Sequence, residues 1–375
     1  MPSDTAHRPV LDERALNRAL LDRQMLLARS DRTVAEAVAF LYGLQAQAPW
    51  SPYQALWTRL ADFDPHELGA MLTDRRAVRI VLMRGTVHLV TADDALALRH
   101  LHAAYLERGL RTSTWAKGLA DVDLDEVVAH GRALVEQQPL PFRALGTALA
   151  ERWPDRDPAT LAQVVRALAP LVQVPPRAVW GKSGQVTVTT AEHWLDRPVD
   201  TGATLDEMVL RYLAAYGPAS IMDVQAWSGL TRLREVGDRL GDRVVRFRSE
   251  GGRELLDLPE APRPGPETPA PVRFLADFDN VTLAHADRSR FVDDHVRKRL
   301  MTVNGQLPGT VLVDGRITAQ WSIERTRERA TLTVTPFRAL SAAETAEIEA
   351  EAAGVLAFAA ADDGEHDVRV SAPEA

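Results

Sequence analysis

Two glutamines one residue apart, in Leu44-Gln45-Ala46-Gln47-Ala48-Pro49, are the side chains whose types and spacing could do chemistry here. A primary amide carries an acceptor carbonyl and two N–H donors, so one side chain can accept from a water while donating to another oxygen. It does this without charge. Such a group positions and polarises rather than acting as a strong base. The motif closes an apolar run with Val34, Val38, Leu41 and Leu44 at helical spacing, and Pro49 pushes Ala48 out of the α region. The pattern predicts a helix that ends on or just after the pair. Residues two apart on a helix do not face each other, so both amides reach one ligand only if the backbone unwinds there or the ligand lies across the helix end. The competing reading is that Gln45 and Gln47 satisfy loose backbone groups at a helix C-terminus.

Other chemistries are poorly supplied. The chain has no cysteine, which excludes disulfides, thiolate-rich metal sites and a cysteine nucleophile. Its only lysines are Lys117, Lys182 and Lys298, leaving few candidates for a Schiff base. Gly181-Lys182-Ser183 is not a phosphate loop, because Pro176 stands where the first glycine belongs and a strand pattern follows. His100 and His102 point apart on the helix expected there, and no further ligands are spaced nearby. Asp277 and Asp279 could share a strand face, but a turn and pairing with Arg288 or Arg290 is the stronger expectation. Neither a metal nor a cofactor is expected.

The elements that must position the glutamines recur. Helical patterns over 12–27, 34–44, 53–60 and 65–73 precede strand-like runs at 78–82 and 86–90, with Met83-Arg84-Gly85 at the turn. After a spacer helix over 92–107 the order returns, with helices at 124–136, 142–152 and 159–168 and strands at 171–174 and 185–188. It returns again with helices at 205–216, 220–227 and 230–240 and strands at 244–247 and 254–258. Helices closed by a hairpin make a winged helix. The expected fold is therefore α+β, with three tandem winged-helix motifs and a β-rich C-terminal region. The boundaries are 11–112, including the spacer helix, then 113–200 and 201–258, followed by a stiff Pro-rich linker at 259–271. Strands and a final helix fill 272–361, with Asp314-Gly315 a hairpin turn and 362–375 a poorly ordered tail.

With 375 residues, 46% hydrophobic and 26% charged, the chain can bury a sizeable core. Its first eight residues lack the apolar core of a signal peptide, and no run approaches the ~20 residues needed to span a bilayer. A cytoplasmic protein without membrane attachment is expected. The net charge of −8 argues against coating nucleic acid non-specifically but allows a local basic face. Candidates for that face are Arg288 and Arg290, in His285-Ala286-Asp287-Arg288-Ser289-Arg290, together with Arg316, Arg325 and Arg327 on or near a hairpin. Arg325, Arg327 and Arg329 would share a face on a strand; the bland alternative pairs them with Glu324 and Glu328 along a solvated edge.

The Gln-Ala-Gln segment, Met83-Arg84-Gly85-Thr86-Val87-His88-Leu89-Val90, and Phe274-Leu275-Ala276-Asp277-Phe278-Asp279-Asn280 with the His285–Arg290 segment occur in one order over nearly the whole chain. Together they resemble the winged-helix DNA glycosylase superfamily, in its AlkZ-like branch, whose signature is Gln-apolar-Gln where the other branch has Gln-apolar-Asp. The resemblance implies three winged helices bent into a curved DNA channel. It also implies excision of N7-alkylated purines from double-stranded DNA, bulky adducts and interstrand crosslinks included, in repair or in self-resistance of producers of genotoxic natural products. Gln45 and Gln47 would then be catalytic in a monofunctional glycosylase: with no lysine beside the motif no covalent lyase step is expected, and the protein is expected to be a monomer. A non-enzymatic winged-helix regulator is the alternative and needs an exposed basic recognition helix, whereas Leu230-Thr231-Arg232-Leu233-Arg234-Glu235-Val236 is only moderately basic. A protein–protein scaffold would leave the glutamines buried and inert.

Overall fold

The helix Val34–Phe40 opens on a reciprocal cap, with Thr33 Oγ1 accepting from Glu36 N (3.3 Å) and the Glu36 carboxylate accepting from Thr33 N (2.9 Å). It does not reach the glutamines. Tyr42 N donates to Ala39 O and Gly43 N to Val38 O, each at 3.2 Å, which is the bond pair of a Schellman stop. Tyr42 has φ 57° and Gly43 φ 95°. A Cβ on Gly43 would lie 2.6 Å from Val90 Cγ1, so this turn needs glycine for both its backbone angle and its close approach. The expected helix over the motif is thereby corrected: the apolar period through Leu44 reports burial, and Leu44–Gln45 is a strand.

The computed structural model describes residues 8–300 and 307–373. Residues 1–7, on which the expectation of no leader peptide falls, lie outside them. In chain order the strands are β1 Val10–Leu11, β2 Leu44–Gln45, β3 Ala77–Val81, β4 Val87–Thr91, β5 Leu171–Gln173, β6 Val188–Thr190, β7 Val245–Ser249, β8 Glu254–Asp257, β9 Arg273–Leu275, β10 Gly309–Val313, β11 Arg316–Arg325, β12 Arg329–Pro336 and β13 Glu365–Val370. Helices precede strand pairs three times, as the sequence pattern predicts: Pro65–Thr73 before β3 and β4, Pro158–Leu168 before β5 and β6, and Arg234–Arg239 before β7 and β8. The fold is α+β.

Pairing between the stretches was not legible. Strands of the first two join in one sheet, ordered β2-β4-β3-β5-β6, through Arg79 opposite Gln173 and Ile80 opposite Val172. Alternation then sorts its side chains. Val78, Ile80, Val90 and Val172 pack with Tyr212, Leu213, Tyr216 and Trp227 of the third stretch. Leu44, Ala46, Ala77, Val87 and Leu89 pack on the helices of the first. β1 pairs parallel with β7, whose other edge carries β8.

Two further expectations change. The Pro-rich segment is strapped along the helix Glu13–Arg23, where Arg14 Nε donates to Pro266 O (2.6 Å), Arg18 Nε to Thr268 O (2.6 Å) and Arg23 Nη2 to Pro262 O (3.0 Å). Carbonyls left without strand partners thus gain charged donors. The tail does not trail off after Asp362: β13 pairs parallel with β12 and completes the sheet β13-β12-β11-β10-β9. Among the described residues no helix is long and apolar enough to cross a membrane.

Candidate active site

β2 is the edge strand of its sheet, and the chain leaves that edge at the glutamine motif. Ala46 N still donates to Val87 O (2.8 Å), but beyond it the backbone turns and the two amides part. Gln45, 7% exposed, sits opposite His88 and accepts at Oε1 from Arg84 Nη2 (2.7 Å). Arg84 Nη1 donates in turn to Trp227 O, so this amide helps fasten the first hairpin to the third helical stretch. Gln47 is exposed and accepts from Val87 N at 3.3 Å. A carbonyl with one long bond keeps a lone pair for another donor, and the Gln47 amide nitrogen remains available.

Gln47 lies on the rim of a cleft of about 750 Å³ between the sheet and the helices Phe142–Ala150 and Pro158–Leu168. Arg79, Arg143, Arg166 and Arg177 line it; Asp157 is its one carboxylate. Asp157 is already engaged by Thr160 N (2.8 Å) and Thr160 Oγ1 (2.7 Å). The cleft is therefore strongly positive in a protein of net negative charge. Arg79 reaches it from β3 and donates through Nη2 to Ala46 O (2.7 Å), the middle residue of the motif. Burial, then the like charge of Arg177, lowers the Arg79 pKa to about 10. Arg84 is also brought to about 10, by burial. His88, whose Nδ1–H donates to Thr86 O (3.0 Å), is held neutral with its pKa near 3 by burial and then by the Arg84 charge.

A second cleft, about 810 Å³, is bordered by Ala48, next to the motif. Trp50, Tyr53, Trp180 and Phe358 form an aromatic wall, with Trp180 stacked on Phe358 at 5.2 Å. Arg325 and Asp277 also line it. Desolvation raises the Asp277 pKa.

The basic candidates do not converge. Arg290 is 3% exposed and donates to Pro218 O (2.9 Å), with Asp223 near its charge, so its guanidinium is engaged in the packing. Arg288 and Arg316 line a separate cleft, where Arg316 pairs with Asp293. Arg325 ends β11 and donates through Nε to Asp363 (2.5 Å). Arg327 stands exposed in the turn closed by Thr326 N to Arg329 O (2.9 Å), so the three arginines do not share a strand face. Arg325 and Arg329 pair with Asp363 and Glu365 respectively, rather than with Glu324 and Glu328.

The third segment of the sequence signature is tied into the packing around the site. Asp279 pairs with Arg59, not with Arg288 or Arg290, at 2.7 and 2.8 Å with both side chains fully buried. Asn280 Nδ2 donates to Gly43 O (2.9 Å), bracing the turn before Gln45. Asp223 accepts from Ala286 N (2.9 Å) and Asp287 N (3.2 Å), docking the His285–Arg290 segment on the third stretch. Sequence reading missed Arg79, Arg84 and Arg177. An arginine inside the apolar run Val78-Arg79-Ile80-Val81 was the available signal, since a cation rarely enters a buried strand without work for it to do.

The neutral amide of Gln47 at a cleft of arginines fits an enzyme that acts on a polyanion through dipoles and position. Comparison with known proteins makes that class DNA glycosylase, a hydrolase of N-glycosyl bonds. More particularly, residues 38–358 match the family described as DNA glycosylase AlkZ-like, and the chain belongs to it. An interstrand DNA cross-link repair glycosylase of Streptomyces sahachiroi is 25% identical over 365 residues, covering 89% of this chain and 93% of the relative. The solved structure of Streptomyces sahachiroi DNA glycosylase AlkZ matches with a TM-score of 0.81 at 23% identity, covering 96% of this chain and all of that one. That likeness speaks for the fold.

Proposed function

We propose that this protein hydrolyses the N-glycosidic bond of N7-alkylguanine in double-stranded DNA, bulky adducts and interstrand crosslinks included, and leaves an intact abasic strand. The observation that carries this reading is the exposed amide of Gln47 on the rim of an arginine-lined cleft. An N7-alkylguanine already bears the positive charge that a normal purine gains only by protonation. Its C1′–N9 bond is predisposed to break through an oxocarbenium-like state, and the enzyme has mainly to place a water and offer negative dipole to the sugar. Gln47 Oε1 accepts from that water while its amide nitrogen donates to a phosphate or sugar oxygen. Gln45 contributes from behind, through Arg84, by holding the hairpin on which the motif rests.

In this reading the protein acts as a monomer, in repair or in self-resistance to a genotoxic natural product; the relative's cross-link repair name supports the repair of crosslinks. Arg288, Arg316, Arg325 and Arg327 remain proposed DNA contacts outside the central cleft. The deciding experiment incubates the protein with duplex DNA containing N7-methylguanine. Free base is expected in the presence of EDTA, with strand cleavage only after alkali or heat. A borohydride-trapped covalent complex, or loss of activity in EDTA, would overturn the mechanism.

A further inference from the structure

The floor of the central cleft holds a cation with no anion to match it. Arg79 is 2% exposed, yet only its Nη2 has a hydrogen-bond partner, Ala46 O at 2.7 Å; Nε and Nη1 are buried without one. Beside it Arg177 donates through Nη1 to Gly184 O (3.0 Å), and its Nε too is buried and unpartnered. Gln173, directly opposite Arg79 in the sheet, has an unpartnered Oε1 in the same place. Asp157 pairs with neither arginine: its Oδ2 accepts from Thr160 N and Thr160 Oγ1. An arginine does not escape such a site by losing its proton. Two like charges and several free donors at one point are a cost to the folded protein unless a ligand repays it.

We propose that Arg79 and Arg177, with Gln173 beside them, clamp one backbone phosphate of the DNA strand whose damaged nucleotide faces Gln47. The Nε and Nη1 edge of a guanidinium is a fork that matches two oxygens of a phosphodiester. Arg177 supplies a second charged donor, and the Gln173 amide supplies a third donor once its two ends exchange places. The DNA substrate provides the anion. Because Nη2 of the same guanidinium holds Ala46 O, the clamp also fixes the register between the phosphate and the glutamine two bonds along the chain. Arg79 is thus a positioning residue for Gln47. This inference rests on the DNA-facing reading of the cleft and adds to it where, and by what, the strand is held.

The test uses the full chain and a duplex with a stable abasic analogue, in which single phosphates near the lesion are replaced one at a time by neutral methylphosphonates. Wild type is expected to lose about tenfold in affinity at one position, as for the loss of one buried phosphate contact. Arg79→Met should lose about tenfold on the all-phosphate duplex and be indifferent to that replacement, the signature of a coupled pair. Inorganic phosphate, against chloride at equal ionic strength, should raise the melting temperature of wild type and not of the variant. Should Arg79→Met fail to fold, Arg177→Met and Arg79→Lys carry the same cycle. A flat methylphosphonate scan in wild type, or equal losses on both duplexes in the variant, overturns the clamp. Melting shifts from acetate with a flat scan also overturn it, assigning the site to a small carboxylate. A flat scan with normal base release removes only the clamp; a positive scan without base release removes only the glycosylase chemistry.

Discussion

At the scale of single residues the two glutamines, alike in the sequence, have unlike work. Gln47 is exposed and holds one long bond, so Gln47→Ala should leave melting unchanged while single-turnover excision falls about 100-fold, as when one preorganised dipole is lost. Gln47→Asp should keep measurable activity, because a carboxylate there can take the water's proton. Equal excision by wild type and the alanine variant would take Gln47 out of the chemistry. Gln45→Ala is different, since it strips Arg84, a mostly buried cation, of one acceptor. It should destabilise the protein by about 1–3 kcal/mol, read by urea denaturation, and lower excision as a consequence. The motif was legible from residue type and spacing. The divergence of its amides was not, because it depends on Arg84 and Val87, which approach only once the hairpin has folded back.

At the scale of elements, helices and hairpins were readable because their signals are local: caps, apolar periods and turn glycines. Strand pairing across stretches was not, since β3 and β5 lie about a hundred residues apart in sequence and nothing in either names the other. The misread helix end is instructive. Leu44 fits both a helical period and a buried strand, and only the conformation of Gly43 separates the two. Gly43→Ala should therefore act on the site through its support. The side chain would combine strained backbone with a 2.6 Å approach to Val90, destabilising the protein by about 1–3 kcal/mol. It should displace β2, so that excision falls more than the loss of folded protein accounts for. Asp279→Ala probes the other brace and should cost about 3–5 kcal/mol, because it leaves the fully buried Arg59 without its carboxylate. Melting as stable as wild type in either variant would show that the turn tolerates what the geometry forbids.

At the scale of the whole molecule, three buried histidines stand where the stretches meet, and all are held neutral. Burial is the first cause in each. His88 faces Arg84 and His102 and is lowered to about 3; His102 faces Arg99 and Arg84 and is lowered to about 4. His285 is lowered to about 3 beside Arg290, with Asp223 and Asp287 opposing that shift. In the unfolded chain each titrates near 6.5, so between about pH 6.5 and 4 the unfolded state binds more protons than the native one. Stability is then complete above about pH 6.5 and declines as pH falls through this window. Carboxylates whose pKa values are lowered in the fold, Asp223 and Asp206 among them, withdraw their contribution only nearer pH 4. A loss seen already between pH 6.5 and 5 accordingly belongs to the histidines. Urea midpoints measured across that interval should drop steadily toward acid, with an unchanged m-value. His285→Gln keeps an Nε donor for Tyr216 O, which His285 engages at 3.0 Å, but cannot take a proton. It should flatten the slope by one proton. Midpoints that stay level or rise on acidification would mean that these imidazoles are charged in the folded protein, and that the seams between its stretches are wetter than their burial implies.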